Sequence, residues 1–155
     1  MKKVLFISSS GGHLSELLQL KSLFKKYDYY LITENTKSTL NLLNEYPSRV
    51  YYLPFSTRFK LNYIYVFPYN IIKSLYLFIK IKPEYVVSTG SHTAVPMCYF
   101  AKMFRRKVIY IETFANINRK SLAGRLVYPI SDVFIVQWEE LLKLYPKAVY
   151  GGWIY

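Results

Sequence analysis

KKVLFISSSGGHLSELLQLKSLF, residues 2–24, decides the fold. Residues 2–8 are a short apolar run containing β-branched side chains, with the length and flanks of a buried strand. SSSGGH breaks that run, and Leu14, Leu17, Leu18 and the apolar residues of 20–24 then recur at helical spacing. This is a strand, a glycine turn and a helix. The same alternation continues along the chain. Residues 29–33 predict a second strand, 38–46 a short helix, and 49–53 a third strand closed by Pro54. Pro68 interrupts the next apolar region, and a helix over 69–81 follows it. Residues 85–88 read as a fourth strand, 94–104 as a helix, and 107–111 as a fifth strand ending at Glu112. A helix over 121–128, a sixth strand over 133–137 and a last short helix over 139–144 precede the tail AVYGGWIY. Such alternation predicts one α/β domain over residues 1–155, a parallel sheet covered by helices on both faces. No repeat, low-complexity tract or linker divides it.

Composition narrows the setting. Of 155 residues 52% are hydrophobic, so a core forms without disulfides, and the single Cys98 fits a reducing compartment and a buried, inert thiol. The apolar run from Val4 to Ile7 is too short for a secretory leader, so the expected location is cytoplasmic. The net charge is +12 and there are 17 tyrosines. Residues 46–83 contain no acid but carry Arg49, Arg58, Lys60, Lys73, Lys80 and Lys82 among many aromatics. Large apolar side chains dominate that stretch with bases at its margins, which suits an anionic membrane surface better than a phosphate groove. Arg58, Phe59, Lys60, Tyr63, Phe67 and Lys73 are the expected membrane contacts. A transmembrane span over 61–81 is disfavoured by Asn62, Pro68, Asn70, Lys73 and Lys80. Asn70, Lys73, Ser74 and Lys80 fall near one face of the helix and leave a wide apolar surface. Nucleic-acid binding is not expected, for no helix-turn-helix, RNA-recognition or zinc signature is present.

In a parallel α/β sheet ligands bind beyond the carboxyl ends of the strands. The loops there, residues 8–13, 89–93 and 112–118, carry the chemistry. Gly11 and Gly12 allow a sharp turn and close approach to a ligand, but their spacing matches neither a dinucleotide fingerprint nor a P-loop. A plain tight turn is the competing reading. His13 stands at a helix start, where the positive end of the dipole favours a neutral imidazole able to take a hydroxyl proton. It equally suits a structural helix-start histidine. Glu16 is expected to close a cap on that turn. Gly90, Ser91, His92 and Thr93 form a second polar turn, in which Ser91 or Thr93 also suits an N-cap. Glu112 ends VIYIE, placed either to act on sugar hydroxyls or to pair with Arg119, Lys120 or Arg125. Two histidines without further clustered ligands make no metal site, and no cofactor is expected.

GGHLSE, VVSTGSHTAVP and YIETFANINRKSLAGRLVYPISDVFIVQW together resemble the bacterial capsular and exopolysaccharide biosynthesis proteins of the PssD type. They are also similar to the membrane-anchoring subunit of the eukaryotic transferase that adds the second N-acetylglucosamine to dolichol-linked sugar. More distantly the motif order looks like the N-terminal domain of MurG. The resemblance covers essentially the whole chain, and its third motif is the most specific. It implies a Rossmann-like fold equivalent to the N-terminal half of a GT-B glycosyltransferase. It further implies a hexosyltransferase subunit of capsule or exopolysaccharide biosynthesis, active with a separate donor-binding subunit. The partners it implies are that subunit in a hetero-oligomer, a UDP-sugar held by the complex, and a lipid-linked saccharide acceptor.

Carried over by position, Gly11, Gly12 and His13 match the family's first loop, Gly90 to Thr93 the second, and Glu112 the acidic strand end. Asn116 in the third motif joins the substrate-binding set. His13 is the first choice for the base that deprotonates the acceptor, with Glu112 as alternative or helper. The second loop reads Gly-Ser-His where MurG has a double glycine, so MurG's acceptor contacts do not carry over directly. The chain begins at its first strand, unlike the eukaryotic subunit with its N-terminal transmembrane helix, so peripheral attachment at the cytoplasmic face of the plasma membrane is expected. Gly151, Gly152, Trp153, Ile154 and Tyr155 are the expected partner interface, aromatic and at the point where an uncut enzyme would cross into its second domain. A non-catalytic membrane adaptor that only recruits the partner is the alternative.

Overall fold

A computed structural model describes residues 1–55 and 62–154. Arg58, Phe59, Lys60 and Tyr155, expected to meet the membrane or the partner, lie outside the described residues. The sheet begins with β1 (Lys3–Ser8), in which Leu5, Phe6 and Ile7 are fully buried. Alternate residues of β1 feed two separate cores: Val4 and Phe6 face one side, Leu5 and Ile7 the other. A strand buried on both faces is what a continuous apolar run provides. α1 (Gly12–Gln19) and a 3-10 turn (Leu20–Lys25) lead to β2 (Asp28–Asn35), α2 (Leu42–Glu45) and β3 (Val50–Pro54). These helices cover the Val4–Phe6 face through Leu14, Leu17, Phe24 and Leu42.

α3 (Tyr63–Ile81) then carries the chain to β4 (Tyr85–Gly90), followed by α4 (Val95–Met103), β5 (Lys107–Ile111), α5 (Leu122–Val127) and β6 (Val133–Val136). All pairings are parallel and the order is β3-β2-β1-β4-β5-β6, with a two-residue β7 (Val149–Tyr150) added beside β6. The six expected strands are present, and α3, α4 and α5 supply the second layer. Between β1 and β4 the chain reverses its direction of growth across the sheet. In such folds ligands bind beyond the carboxyl ends of the strands that flank this switch point.

α3 departs from expectation in two ways. It runs through Pro68 instead of starting after it. Pro68 lies in the second turn on the exposed side, and the carbonyl left without a donor belongs to exposed Ile64, where water can meet it. The faces are also reversed. Asn70 and Ser74 are buried, with Asn70 Nδ2 donating to the Pro54 carbonyl at 2.9 Å. Small polar side chains let the helix lie close to β3, and its apolar residues Ile64, Tyr65, Tyr69, Ile72, Tyr76 and Ile79 turn outward. Among the described residues α3 is the one helix long and apolar enough to cross a membrane, yet Leu77, Phe78 and Ile81 anchor it in the core. Cys98 is buried in α4, and burial pushes its thiol up to about 12.

Candidate functional site

The first loop forms because β1 ends in small polar residues. Gly11, at φ +79°, makes a turn that L side chains rarely adopt, and α1 starts immediately after it. A Cβ on Gly12 would meet nothing within 4 Å, so that helix start stands open. His13 follows, half-buried, with its ring against the end of β4. Its Nδ1 lies 2.8 Å from the Thr89 carbonyl, and Thr89 Oγ1 donates in return to the His13 carbonyl at 2.7 Å. A carbonyl oxygen only accepts, so Nδ1 must carry a proton, and in the neutral ring Nε2 holds the lone pair. Gly90, at φ +101°, makes this fit possible. A Cβ there would stand 3.2 Å from the imidazole and 3.0 Å from Tyr110 Oη.

The first and second loops are sewn together. Ser9 N donates to the Gly90 carbonyl at 2.9 Å, and Ser91 N donates to Ser9 Oγ at 3.0 Å. Beneath them sits Glu34, at the end of β2 and 2% exposed. Its Oε2 accepts from the amide and hydroxyl of Ser10 at 3.0 and 2.9 Å, and its Oε1 accepts from Thr93 Oγ1 at 2.6 Å. Sequence reasoning passed over this residue. The available signal was an acid directly after the apolar run LIT, the same pattern that drew attention to Glu112 after VIYI.

The expected site residues separate into those that face outward and those that build the frame. Gly11 and Gly12 are exposed, and Ser91, His92 and Asn116 are half-buried. Gly90 and Thr93 are buried, and the Thr93 hydroxyl is taken by Glu34, so both shape the loop from within. Ser91 does cap the short 3-10 turn His92–Ala94, accepting from His92 N. Tyr63 and Phe67 do not join the outward apolar face of α3. Their rings lie 5.9 and 6.3 Å from the His92 ring, which draws them to the second loop. Lys73 is half-buried and its ammonium lies 5.9 Å from the Tyr69 ring.

Glu112 corrects the expectation of an accessible base. It is fully buried. Its Oε1 accepts from Thr113 N at 3.2 Å, and its Oε2 from Ser121 Oγ at 3.0 Å and Tyr145 Oη at 2.9 Å. Gly124 is required here, since a Cβ would come within 2.1 Å of that Oε2. The alternative pairing with Arg119, Lys120 or Arg125 is absent among the described residues. Hydroxyl and amide donors satisfy the carboxylate and fix the third loop to α5 instead. Burial, together with the adjacent Glu112 carboxylate, pushes the Tyr145 phenol far up, so that hydroxyl stays a donor.

Glu16 does not cap its own helix. Its Oε1 accepts from Thr113 Oγ1 at 2.8 Å and Phe114 N at 3.1 Å, tying α1 to the third loop. Its Oε2 is buried with no partner among the described residues, an acceptor beside the loops. The tail, the expected partner interface, folds back on its own sheet through residue 154. Gly151 N donates to the Val136 carbonyl, Ile154 packs on Gly151, and Trp153 stacks on Phe114 at 5.6 Å. Trp153 nevertheless remains 75% exposed. A shallow apolar hollow between Phe6, Leu23, Tyr27 and Tyr85 lies at the strands' amino ends, away from these loops.

This sheet order, with polar loops at the switch point, defines a Rossmann-like domain. MurG from Acinetobacter baumannii superposes with a TM-score of 0.74 at 15% identity, over 90% of this chain and 43% of MurG. UDP-GlcNAc 2-epimerase from Methanocaldococcus jannaschii gives 0.71 at 17% identity, over 96% of this chain and 45% of that one. Residues 4–154 match the family described as "Oligosaccharide biosynthesis protein Alg14 like", and the chain belongs to that family. The "UDP-N-acetylglucosamine transferase subunit ALG14" of Mus musculus is 31% identical over 177 residues, covering 97% of this chain and 82% of the relative. The subunit of the same name from Candida albicans is 30% identical over 161 residues, covering 92% and 74%.

Proposed function

We propose that the chain is the acceptor- and membrane-binding subunit of a two-component, UDP-sugar-dependent glycosyltransferase that extends a lipid-linked oligosaccharide. The observation that carries this reading is a family match along nearly the whole chain to a transferase subunit, on a fold that spans 43% of MurG. A partner then supplies the other half and holds most of the donor. The relatives' name makes UDP-N-acetylglucosamine the first donor to test. The likeness of its three motifs to PssD-type proteins supports a product in capsule or exopolysaccharide synthesis.

In this reading the outward face of α3 rests on the lipid surface at the cytoplasmic side of the membrane, with Lys73 and Lys80 near anionic headgroups. The first turns of the same helix carry Tyr63 and Phe67 to His92, so a lipid-bound acceptor meets the second loop without leaving the bilayer. His13 Nε2 takes the acceptor hydroxyl proton as that oxygen attacks the anomeric carbon of the donor and the nucleotide leaves. Glu34 and Glu112 hold the loops in place.

The engaged state of Glu112 favours one competitor, a membrane adaptor whose partner does all the chemistry. Co-expression with the neighbouring open reading frame, if that encodes a nucleotide-sugar-binding half, tests the main reading. The two chains should co-purify and together transfer sugar from UDP-N-acetylglucosamine to a lipid-linked acceptor, while each alone is inactive or feeble. Failure to associate, or full activity of the partner alone, contradicts it.

A further inference from the structure

The motif NRKSLAGR, residues 118–125, builds a feature that the loops already described do not use. Asn118, Arg119, Lys120, Arg125 and Leu144 line an open cleft of about 540 Å³ beside the third loop. Three cations border it and no carboxylate does. Among the described residues the ion pairs are Arg49–Asp28, Lys102–Asp132 and Lys107–Asp132, so none of the three has an acidic partner. Glu112, the nearby carboxylate in the sequence, is buried with its oxygens on Ser121, Thr113 and Tyr145.

A chain of net charge +12 must gather bases somewhere, and a second basic cleft is the internal control. Lys102, Arg105, Arg106 and Lys107 line it at the strands' amino ends, but Asp132 lies among them and pairs with both lysines. The cleft at residues 118–125 has no such acid and lies at the carboxyl ends, where the site loops are. Its central lysine is also held in place, with Lys120 Nζ 5.0 Å from the Tyr145 ring centroid.

We propose that this cleft binds a diphosphate group. Two guanidinium forks and an ammonium lining one cleft match the oxygens of a diphosphate better than the single charge of a carboxylate. Asn118 adds an amide donor. That the diphosphate belongs to a transfer reaction rests on the two-component reading above. Two molecules could bring the group, the nucleoside diphosphate sugar or the lipid diphosphate of the acceptor.

Calorimetric titration of the full-length chain with inorganic pyrophosphate at low ionic strength tests the assignment. Saturable one-site binding is expected, weaker at higher salt. Lys120→Gln with Arg125→Gln should lower the affinity by about tenfold or more, the effect of losing a charge-assisted hydrogen bond. Arg105→Gln with Arg106→Gln, in the control cleft, should leave it unchanged. Competition by farnesyl diphosphate but not farnesol assigns the group to the acceptor, and competition by UDP-N-acetylglucosamine assigns it to the donor. Absence of saturable pyrophosphate binding, or equal weakening by both double variants, overturns the cleft. If the cleft fails while the chain still completes a transferase with its partner, the two-component reading stands. If pyrophosphate binds but no transferase forms, only that reading falls.

Discussion

Nδ1 of His13 donates to the main-chain carbonyl of Thr89 across 2.8 Å, and that single bond settles which ring nitrogen is free. His13 lies in the first turn of α1 and is held by the end of the neighbouring strand β4, so the sheet fixes the orientation of its ring. Fixed orientation is what a base at the sheet edge requires.

Gly90 is the position on which this orientation depends. Gly90→Ala places a Cβ 3.2 Å from the imidazole and 3.0 Å from Tyr110 Oη, at a φ of +101°. Positive-φ strain and crowding together should cost about 1–3 kcal/mol, measured by urea unfolding. Transfer by the assembled complex should fall as the ring is displaced. Unchanged stability and rate would show that the close packing around Gly90 carries no function.

Glu112→Gln separates a structural acid from a catalytic one. Gln keeps an oxygen to accept from Ser121 and Tyr145, so the fold and the third loop should persist. Transfer should stay within about tenfold of wild type, against the loss of about 10²–10⁴-fold that removing a general base brings. A loss in that larger range, with normal circular dichroism, would restore Glu112 as the base.

The strands were legible because each is a short apolar run bounded by polar or glycine residues, and burial on both faces leaves that pattern plain. β7 was missed, for two residues make no pattern. α3 was misjudged at both ends of the scale. Pro68 marks a break only where its missing bond cannot be replaced, and Asn70 and Ser74 read as solvent-facing although both are buried, Asn70 as a donor to Pro54. The candidate loops were legible from their glycines and histidines, but Glu34 and the contacts of Glu16 and Glu112 were not. Apart from the adjacent Thr113 amide, Glu34, Glu16 and Glu112 act through partners 9 to 98 residues away in sequence, from Ser121 to Phe114, and no local period reports such contacts.

The outward face of α3 makes the membrane reading testable at Ile72 and Tyr76. Ile72 is 69% and Tyr76 60% exposed. Ile72→Glu with Tyr76→Glu should leave the fold intact and strip the chain from anionic liposomes in a sedimentation assay. Wild-type binding should weaken with salt, since each basic residue near such a surface contributes about 1 kcal/mol. Undiminished sedimentation of the double variant would remove α3 from the lipid interface.

Trp153, stacked on Phe114 and three-quarters exposed, marks the expected partner surface. Trp153→Ala should reduce recovery of a co-expressed donor-binding subunit in pull-down while circular dichroism stays unchanged. A buried tryptophan anchor at an interface is worth about 2 kcal/mol or more, a thirtyfold loss of affinity on the usual scale. Full recovery of the partner would move the interface elsewhere on the sheet edge.

The account as a whole turns on whether this chain takes part in the chemistry or only brings the partner to the lipid. Sugar transfer from UDP-N-acetylglucosamine to a lipid-linked acceptor, measured for the complex assembled with His13→Gln, decides it. The variant complex should assemble and bind liposomes as wild type does, and transfer should fall about 10²–10⁴-fold. Wild-type turnover from that complex would contradict the account and leave this chain as an adaptor.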